Sequence, residues 1–264
     1  MISSYLNNQP FHIVEESPWP ICLRIASFSL LLRMVYFFWF KSFFFASINL
    51  VFILFILLMW ARDITRERVL EGWHTNEIEG AMKYSIAWFI SSEVLFFFAF
   101  FWGFFTFRLR SGLEGGGSWP PLLIHPIEAF AVPLLNTTIL LTSGVSLTWA
   151  HHALINSNWV ERLFGLLITV GLGLYFTFLQ LLEYISRSFA FNDSAYGSIF
   201  FISTGFHGMH VLVGTTLLLI VSFRLWKNEF INNHHIGLET ARWYWHFVDV
   251  VWLFLFCCVY WWGA

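Results

Sequence analysis

Long apolar runs alternate along the chain with short polar or Gly/Pro-marked breaks. Seven runs approach the roughly 20 residues that a membrane-crossing helix needs. They cover about residues 20–40, 42–61, 81–107, 128–152, 159–183, 196–223 and 239–262. The first is the weakest, because Arg24 and Arg33 interrupt it, each placed to snorkel toward a different interface. Almost nothing separates the first two runs, which predicts a tight helical hairpin. A charged segment, Arg62 to Glu79, stands before the third. The pattern therefore predicts an all-α, polytopic membrane protein with seven transmembrane helices. It divides into a two-helix unit with its charged inner loop (residues 1–79) and a five-helix unit (residues 80–264). No internal repeat and no low-complexity linker is visible.

Composition strengthens this reading. Of 264 residues 58% are hydrophobic and 21% aromatic, and only 11% are charged, against about 25% in soluble domains. The net charge of -2 and the lack of a basic arm give no reason to expect nucleic acid as a partner. Cys22, Cys257 and Cys258 have neither metal-ligand spacing nor a disulfide pattern. Met1 to Pro20 carries Glu15 and Glu16 and no Lys or Arg, unlike a secretory signal or a transit peptide. The expected origin is a bacterium or the organelle that uses the protein. With seven spans, eight basic residues fall on the N-terminal side (Arg62, Arg66, Arg68, Lys83, Arg162, Arg224, Lys227, Arg242) and four on the other (Lys41, Arg108, Arg110, Arg187). That asymmetry puts the N-terminus inside. Trp243-Tyr-Trp245 and Tyr260-Trp-Trp262 fall where interfacial aromatic belts are expected.

Chemistry concentrates in few residues. Glu93 lies within the third apolar run, where a charge costs at least about 2.5 kcal/mol. It is either a titratable site or a structural carboxyl that ties helices together, with His207 or His210 as the expected partner. Ser203, His207, His210 and Gly214 form a polar, small-residue stripe at helical spacing. The stripe suits a packing face; the two imidazoles also suit haem iron, copper or zinc. His246 and Asp249, three apart in the last run with Arg242 one turn earlier, read as a satisfied polar cluster near the inner interface or as a proton relay. His151-His152 and His234-His235 fall at run ends or in loops. Arg62, Arg66, Glu67, His74, Arg224 and Lys227 share the inner side, where basic groups suit lipid headgroups. The chain shows no phosphate-binding glycine loop and no Ser–His–Asp elbow. From these features alone, a stand-alone proton-coupled carrier or channel using Glu93 is the alternative to a subunit of a larger complex.

Several strings resemble subunit III of the haem–copper cytochrome c oxidases. They are Trp149-Ala-His-His152, Thr204-Gly-Phe-His-Gly-Met-His-Val211 and Trp243-Tyr-Trp-His-Phe-Val-Asp-Val-Val-Trp-Leu253. Ser17-Pro-Trp-Pro20, Ile90-Ser-Ser-Glu-Val-Leu-Phe96, Trp119-Pro-Pro121 and Pro133-Leu-Leu-Asn136 extend the match, which runs from about residue 10 to the end. The resemblance implies two plus five helices around a V-shaped, phospholipid-filled cleft. It implies an enzymatic role only within a proton-translocating oxidase, with no metal and no redox centre on this chain. Haem a, haem a3 and copper would lie on sister subunits. Subunits I and II, smaller subunits and phospholipids are the implied partners, in the mitochondrial inner membrane with the N-terminus on the matrix side and the C-terminus facing the intermembrane space. Glu93 matches the family's membrane-buried carboxylate, and Arg62, Arg66, Glu67, His74 and Arg224 match positions near lipid headgroups. The implied roles are stabilising the catalytic subunit, sustaining proton uptake and giving oxygen a route through the lipid. The chain departs from the pattern at Arg33, Trp73, Thr106, the loop from Phe107 to Gly117, Ile185 and Arg187, which affects expected contacts at the outer surface.

Overall fold

Residues 16–69, 76–110, 118–121, 124–227 and 235–263 are described by the computed structural model. They form seven helices: α1 (Trp19–Phe40), α2 (Phe44–Val69), α3 (Asn76–Leu109), α4 (Val132–Ile155), α5 (Trp159–Ser186), α6 (Ala195–Trp226) and α7 (Ile236–Leu255). A π-helical turn, Phe256–Trp261, continues α7. Contacts divide the chain into Met1–Met82 and Lys83–Ala264, so the first turns of α3 count with the first unit.

Three residues join α1 to α2. Lys41 takes a left-handed conformation (φ 56°) and returns its N–H to the Phe37 carbonyl at 2.8 Å. That conformation costs a non-glycine residue about 1–2 kcal/mol, and here it closes the hairpin. Asn49 then donates to the Ala26 carbonyl across the pair (3.1 Å), and Trp19 donates to Asp63 (2.6 Å). The Arg33 guanidinium lies over the Phe45 ring at 5.5 Å, toward the turn. α2 runs on past its apolar stretch, carrying Arg62 to Glu67 on the helix instead of in a loop.

In the second unit, residues 156–158 turn α4 back against α5. Ser157 is left-handed (φ 60°), and the Ser157 and Asn158 amides donate to Leu154 and Ala153. Asn158 caps α5 by accepting from the Glu161 amide, and Ser194 caps α6 by accepting from Gly197. Six of the seven described helices are long and apolar enough to cross a membrane; α4 is the exception. Its 24 residues would still span about 36 Å. Its hydropathy is low because Asn136, Thr137, Ser143 and Ser146 are buried against neighbouring helices, where hydrogen bonds replace contact with lipid.

α7 is the helix around which this unit is assembled. Trp245 is fully buried and donates its indole N–H to Ser143 of α4 at 2.9 Å. Two glycines hold its ring: a Cβ at Gly173 of α5 would stand 2.7 Å from Trp245 Cη2 and 2.5 Å from Thr215 Cγ2, and one at Gly214 of α6 would stand 2.8 Å from Trp245 Cε3. Two turns on, Trp252 donates to Thr137 of α4 (2.9 Å), meets Phe176 of α5 edge-on (4.8 Å) and lies 5.1 Å from His207 of α6. Tyr260 reaches α5 and α6 from the π-helical turn. The belt expected from the sequence is therefore corrected in part. Trp245 and Tyr260 are core residues, while Trp261 and Trp262 are exposed.

The close approach at Gly173 gives a direct test. Gly173→Ala should lower the thermal midpoint of the assembled protein in detergent, at the cost of about 1–3 kcal/mol typical of overpacking. Gly171→Ala, on the same helix with no atom within 4 Å of its would-be Cβ, should leave the midpoint unchanged. Equal midpoints for the two variants would show that the glycine seat of Trp245 is not under packing constraint.

Candidate functional site

Glu93 lies on α3 near the middle of its apolar stretch and faces α6. Its Oε2 is 2.8 Å from His210 Nε2, with side-chain exposures of 22% and 13%. His210 Nδ1 stands 2.7 Å from the Phe206 carbonyl, so this nitrogen carries a proton and donates it there. Nε2 is left with two ways to bond Glu93. It accepts from a protonated carboxyl, or it donates as imidazolium to a carboxylate. In both states the pair is neutral overall and holds a single proton between the two atoms. Phe97 packs edge-on to the imidazole at 5.1 Å, and Tyr244 of α7 stacks on it at 6.2 Å. Aromatic rings thus pack against the imidazole from α3 and α7.

The other members of the stripe part company here. His207, one turn from His210, turns toward α7 and donates from Nε2 to the Val248 carbonyl at 3.2 Å. The two histidines therefore serve different helices and do not converge on one metal position. Ser203 returns its hydroxyl to the Ile199 and Phe200 carbonyls of its own helix.

The expected satisfied cluster near the inner interface needs correction. His246 Nδ1 lies 3.5 Å from Asp249 Oδ2, at the middle of the last span and not at its end. Asp249 Oδ1 is buried without a hydrogen-bond partner among the described residues. Arg242 does not join them. It sits two turns from Asp249 and donates instead to His151 Nδ1 at the end of α4 (2.7 Å).

That contact belongs to a cluster the sequence did not bring together. Donor atoms of His151, His235 and Glu239 lie within 4.8 Å of one another. Lys83 of α3 pairs with Glu239 at 2.7 Å. Arg242 donates to His151 Nδ1 and Lys83 pairs with Glu239, which places two positive charges beside this set, while His151 Nε2 is buried with no hydrogen-bond partner among the described residues. The chemistry favours a clasp joining α3, the end of α4 and the start of α7. A second buried carboxylate, Glu183 near the end of α5, was also missed. Tyr260 donates to it at 2.8 Å and Gln180 at 3.4 Å, while Asn136 of α4 donates to Gln180 at 3.3 Å. The Gln180-x-x-Glu183 spacing on one helix face was the available signal.

Of the residues expected at lipid headgroups, Arg62 is paired with Asp63 at 2.9 Å and Arg66 is exposed. Glu67 is half-buried on the same helix. Arg224 is half-buried near the end of α6, and Lys227 caps that helix with its ammonium 4.5 Å from the Phe223 ring. His74 lies outside the described residues, as do Trp73 and most of the divergent loop up to Gly117. Two of the departures from the family pattern are cation–π contacts within the chain: Arg108 over Trp262 at 4.0 Å, and Arg187 over Phe201 at 3.4 Å.

Comparison with known proteins bears on the whole chain. The family model described as cytochrome c oxidase subunit III matches residues 9–264. The cytochrome c oxidase subunit 3 of Pisaster ochraceus is 47% identical over 258 residues, covering 98% of this chain and 99% of that protein. That of Branchiostoma lanceolatum is 49% identical over 255 residues, 97% of each. That of Lumbricus terrestris is 48% identical over 258 residues, 97% of this chain and 99% of its own. A family match over nearly the full length, on a helical framework whose apolar spans follow the sequence pattern, establishes that the chain belongs to the cytochrome c oxidase subunit III family.

Proposed function

We propose that this chain is a non-redox supporting subunit of cytochrome c oxidase in the mitochondrial inner membrane, with its N-terminus on the matrix side. It acts by holding the catalytic core in shape and by sustaining proton uptake into it. The observation that carries this reading is how its polar groups at membrane depth are used. Glu93 bonds His210, His207 bonds Val248, Trp245 bonds Ser143, Trp252 bonds Thr137 and Ser146 bonds Thr169, each across two helices. Such groups lock helices together where lipid offers no hydrogen-bond partner. Haem a, haem a3 and copper reside on subunits I and II in this reading, and oxygen reduction is theirs.

Phospholipids belong to the same proposal. The basic positions Arg62 and Arg66 on one unit, and Arg224 and Lys227 on the other, suit phosphate headgroups at the inner surface. His74 is proposed with them on its sequence position alone. Lipid held there would also offer oxygen an apolar approach.

The test is a reduced-minus-oxidised spectrum of the complex purified in mild detergent, repeated after this chain is stripped away. Haem bands that stay with the partners and leave the chain colourless fit the proposal. A chain that purifies alone, or keeps colour, refutes it.

Two substitutions sharpen the reading. Glu93→Ala should leave the haem spectrum intact but shorten the active lifetime during turnover several-fold, because His210 loses its partner. Glu93→Gln, which keeps one hydrogen bond, should fall between the two. Loss of the haem signal in an assembled complex would contradict a supporting role. Arg66→Gln and Arg224→Gln, made separately, should each reduce phospholipid retained by the purified complex. Unchanged phosphorus content in either variant would remove that residue from the lipid contacts.

A further inference from the structure

Arg108 stands in the last turn of α3, with its guanidinium 4.0 Å from the centre of the Trp262 ring. It enters none of the ion pairs found among the described residues. Its Nη1 is buried with no hydrogen-bond partner among them, and so is the indole Nε1 of Trp119. Tyr196 connects the two. Its ring packs on Trp119 at 5.4 Å, and its phenol is the ionisable neighbour that acts on Arg108. A phenol is neutral near pH 7. The carbonyls at the end of α3 supply only a fraction of a negative charge. A full cation therefore stands where no described carboxylate pairs with it.

The platform under this cation is fixed. Trp262 packs against Phe104 and Phe105 of α3 at 6.4 and 5.6 Å. A Cβ on Gly263 would stand 2.8 Å from Phe104 Cζ, so the end of the chain is seated closely on α3. Against the Trp262 ring the guanidinium uses its face and keeps its in-plane N–H groups for a second partner. Arg108 is half-buried, with Nη1 turned inward and the rest of its edge toward the surroundings. One and two turns earlier on the same face of α3, Phe105 and Phe101 are half-buried. Phe101 meets the exposed Phe254 of α7 at 6.1 Å. The cation thus tops an apolar strip at the end of the spans.

We propose that Arg108, seated on Trp262, holds the phosphate of an anionic phospholipid whose acyl chains lie along Phe101, Phe105 and Phe254. One guanidinium can give a phosphate two parallel N–H bonds, and anionic headgroups stand at the level where spans end. A free phosphate would need the cation alone; the apolar strip beneath it is what suits a lipid. The site is separate from Arg224 and Lys227, which end α6 where α7 is about to begin, whereas Arg108 lies beside the end of α7. It also uses a position at which the chain departs from the family's pattern, so it is a property of this chain's own sequence.

The experiment is photolabelling of the intact complex in mild detergent with two phospholipid probes. Both carry a diazirine on the acyl chain close to the glycerol; one is a phosphatidylglycerol and the other a phosphatidylcholine. The phosphatidylglycerol probe should label Phe105, Phe254 and Trp262 several-fold more than the phosphatidylcholine probe. Leu174 and Phe178, exposed and apolar on α5, should take both probes alike and serve as the internal reference. Equal labelling by the two probes around Trp262, or none by either, would overturn the proposal. Excess inorganic phosphate should leave the labelling in place; its removal by phosphate would assign Arg108 to a free anion and overturn the lipid. Arg108→Gln should bring the phosphatidylglycerol labelling down to the phosphatidylcholine level, Arg108→Lys should fall between, and Arg110→Gln should change nothing. An unchanged excess in Arg108→Gln would remove Arg108 from the site. If that variant fails to assemble, the comparison of the two probes on the unaltered complex still decides.

Discussion

The five-helix unit depends on one indole. Trp245 of α7 enters a slot floored by two glycines, Gly173 of α5 and Gly214 of α6, and donates its N–H to Ser143 of α4. Inside a bilayer, helices gain little by hiding apolar surface from lipid, so close packing and inter-helix hydrogen bonds must hold them. One side chain here does both for three neighbours. Trp252, two turns along, repeats the arrangement with Thr137, Phe176 and His207. Tyr260 comes eight residues after Trp252, which on a regular α-helix would carry it off that face. The π-helical turn from Phe256 to Trp261 takes up the extra residue. It thereby keeps the phenol directed at Glu183 and the Phe200 ring.

With the helices held this way, the polar groups become intelligible. Three sets of them join different pairs of helices. Glu93 and His210 link α3 to α6 through a 2.8 Å hydrogen bond. Glu183, Gln180 and Asn136 link α5 to α4, with Tyr260 closing the set. Lys83, Glu239, Arg242 and His151 clasp α3, the end of α4 and the start of α7. Removing one partner of a buried charged pair costs about 3–5 kcal/mol, because the other is left uncompensated. This accounts for residues that on sequence alone invited a catalytic or metal-binding interpretation.

What the sequence revealed follows the same physics. Seven helices were legible because a membrane-crossing helix needs a long apolar run, and such runs survive any ambiguity about neighbours. Their ends were not. α2 reaches Val69 and α3 begins at Asn76, because helices continue past the hydrocarbon and carry Arg62, Glu77 and Lys83 into the interface. Glu93 stood out because its neighbours are all apolar, whereas Glu183 sits beside Gln180 and Tyr184 at the edge of its run and drew no attention. Trp245 and Tyr260 were misassigned to interfacial belts because strings of aromatics look the same at a membrane rim and in a core. The clasp around His151 was invisible for a simpler reason. Its members are separated by up to about 160 positions in the chain, and nothing in local spacing brings them together.

His210 of α6 and His246 of α7 contrast at membrane depth. His210 has both ring nitrogens committed, one to a backbone carbonyl and one to Glu93, within a shell of aromatic rings. His246 has a single long contact to Asp249 and an open flank. If the chain were self-sufficient in the membrane, burial energetics would favour an apolar residue at position 246 over a half-exposed imidazole. The imidazole is instead kept beside Gly144, where the missing side chain leaves room for it and for Asp249.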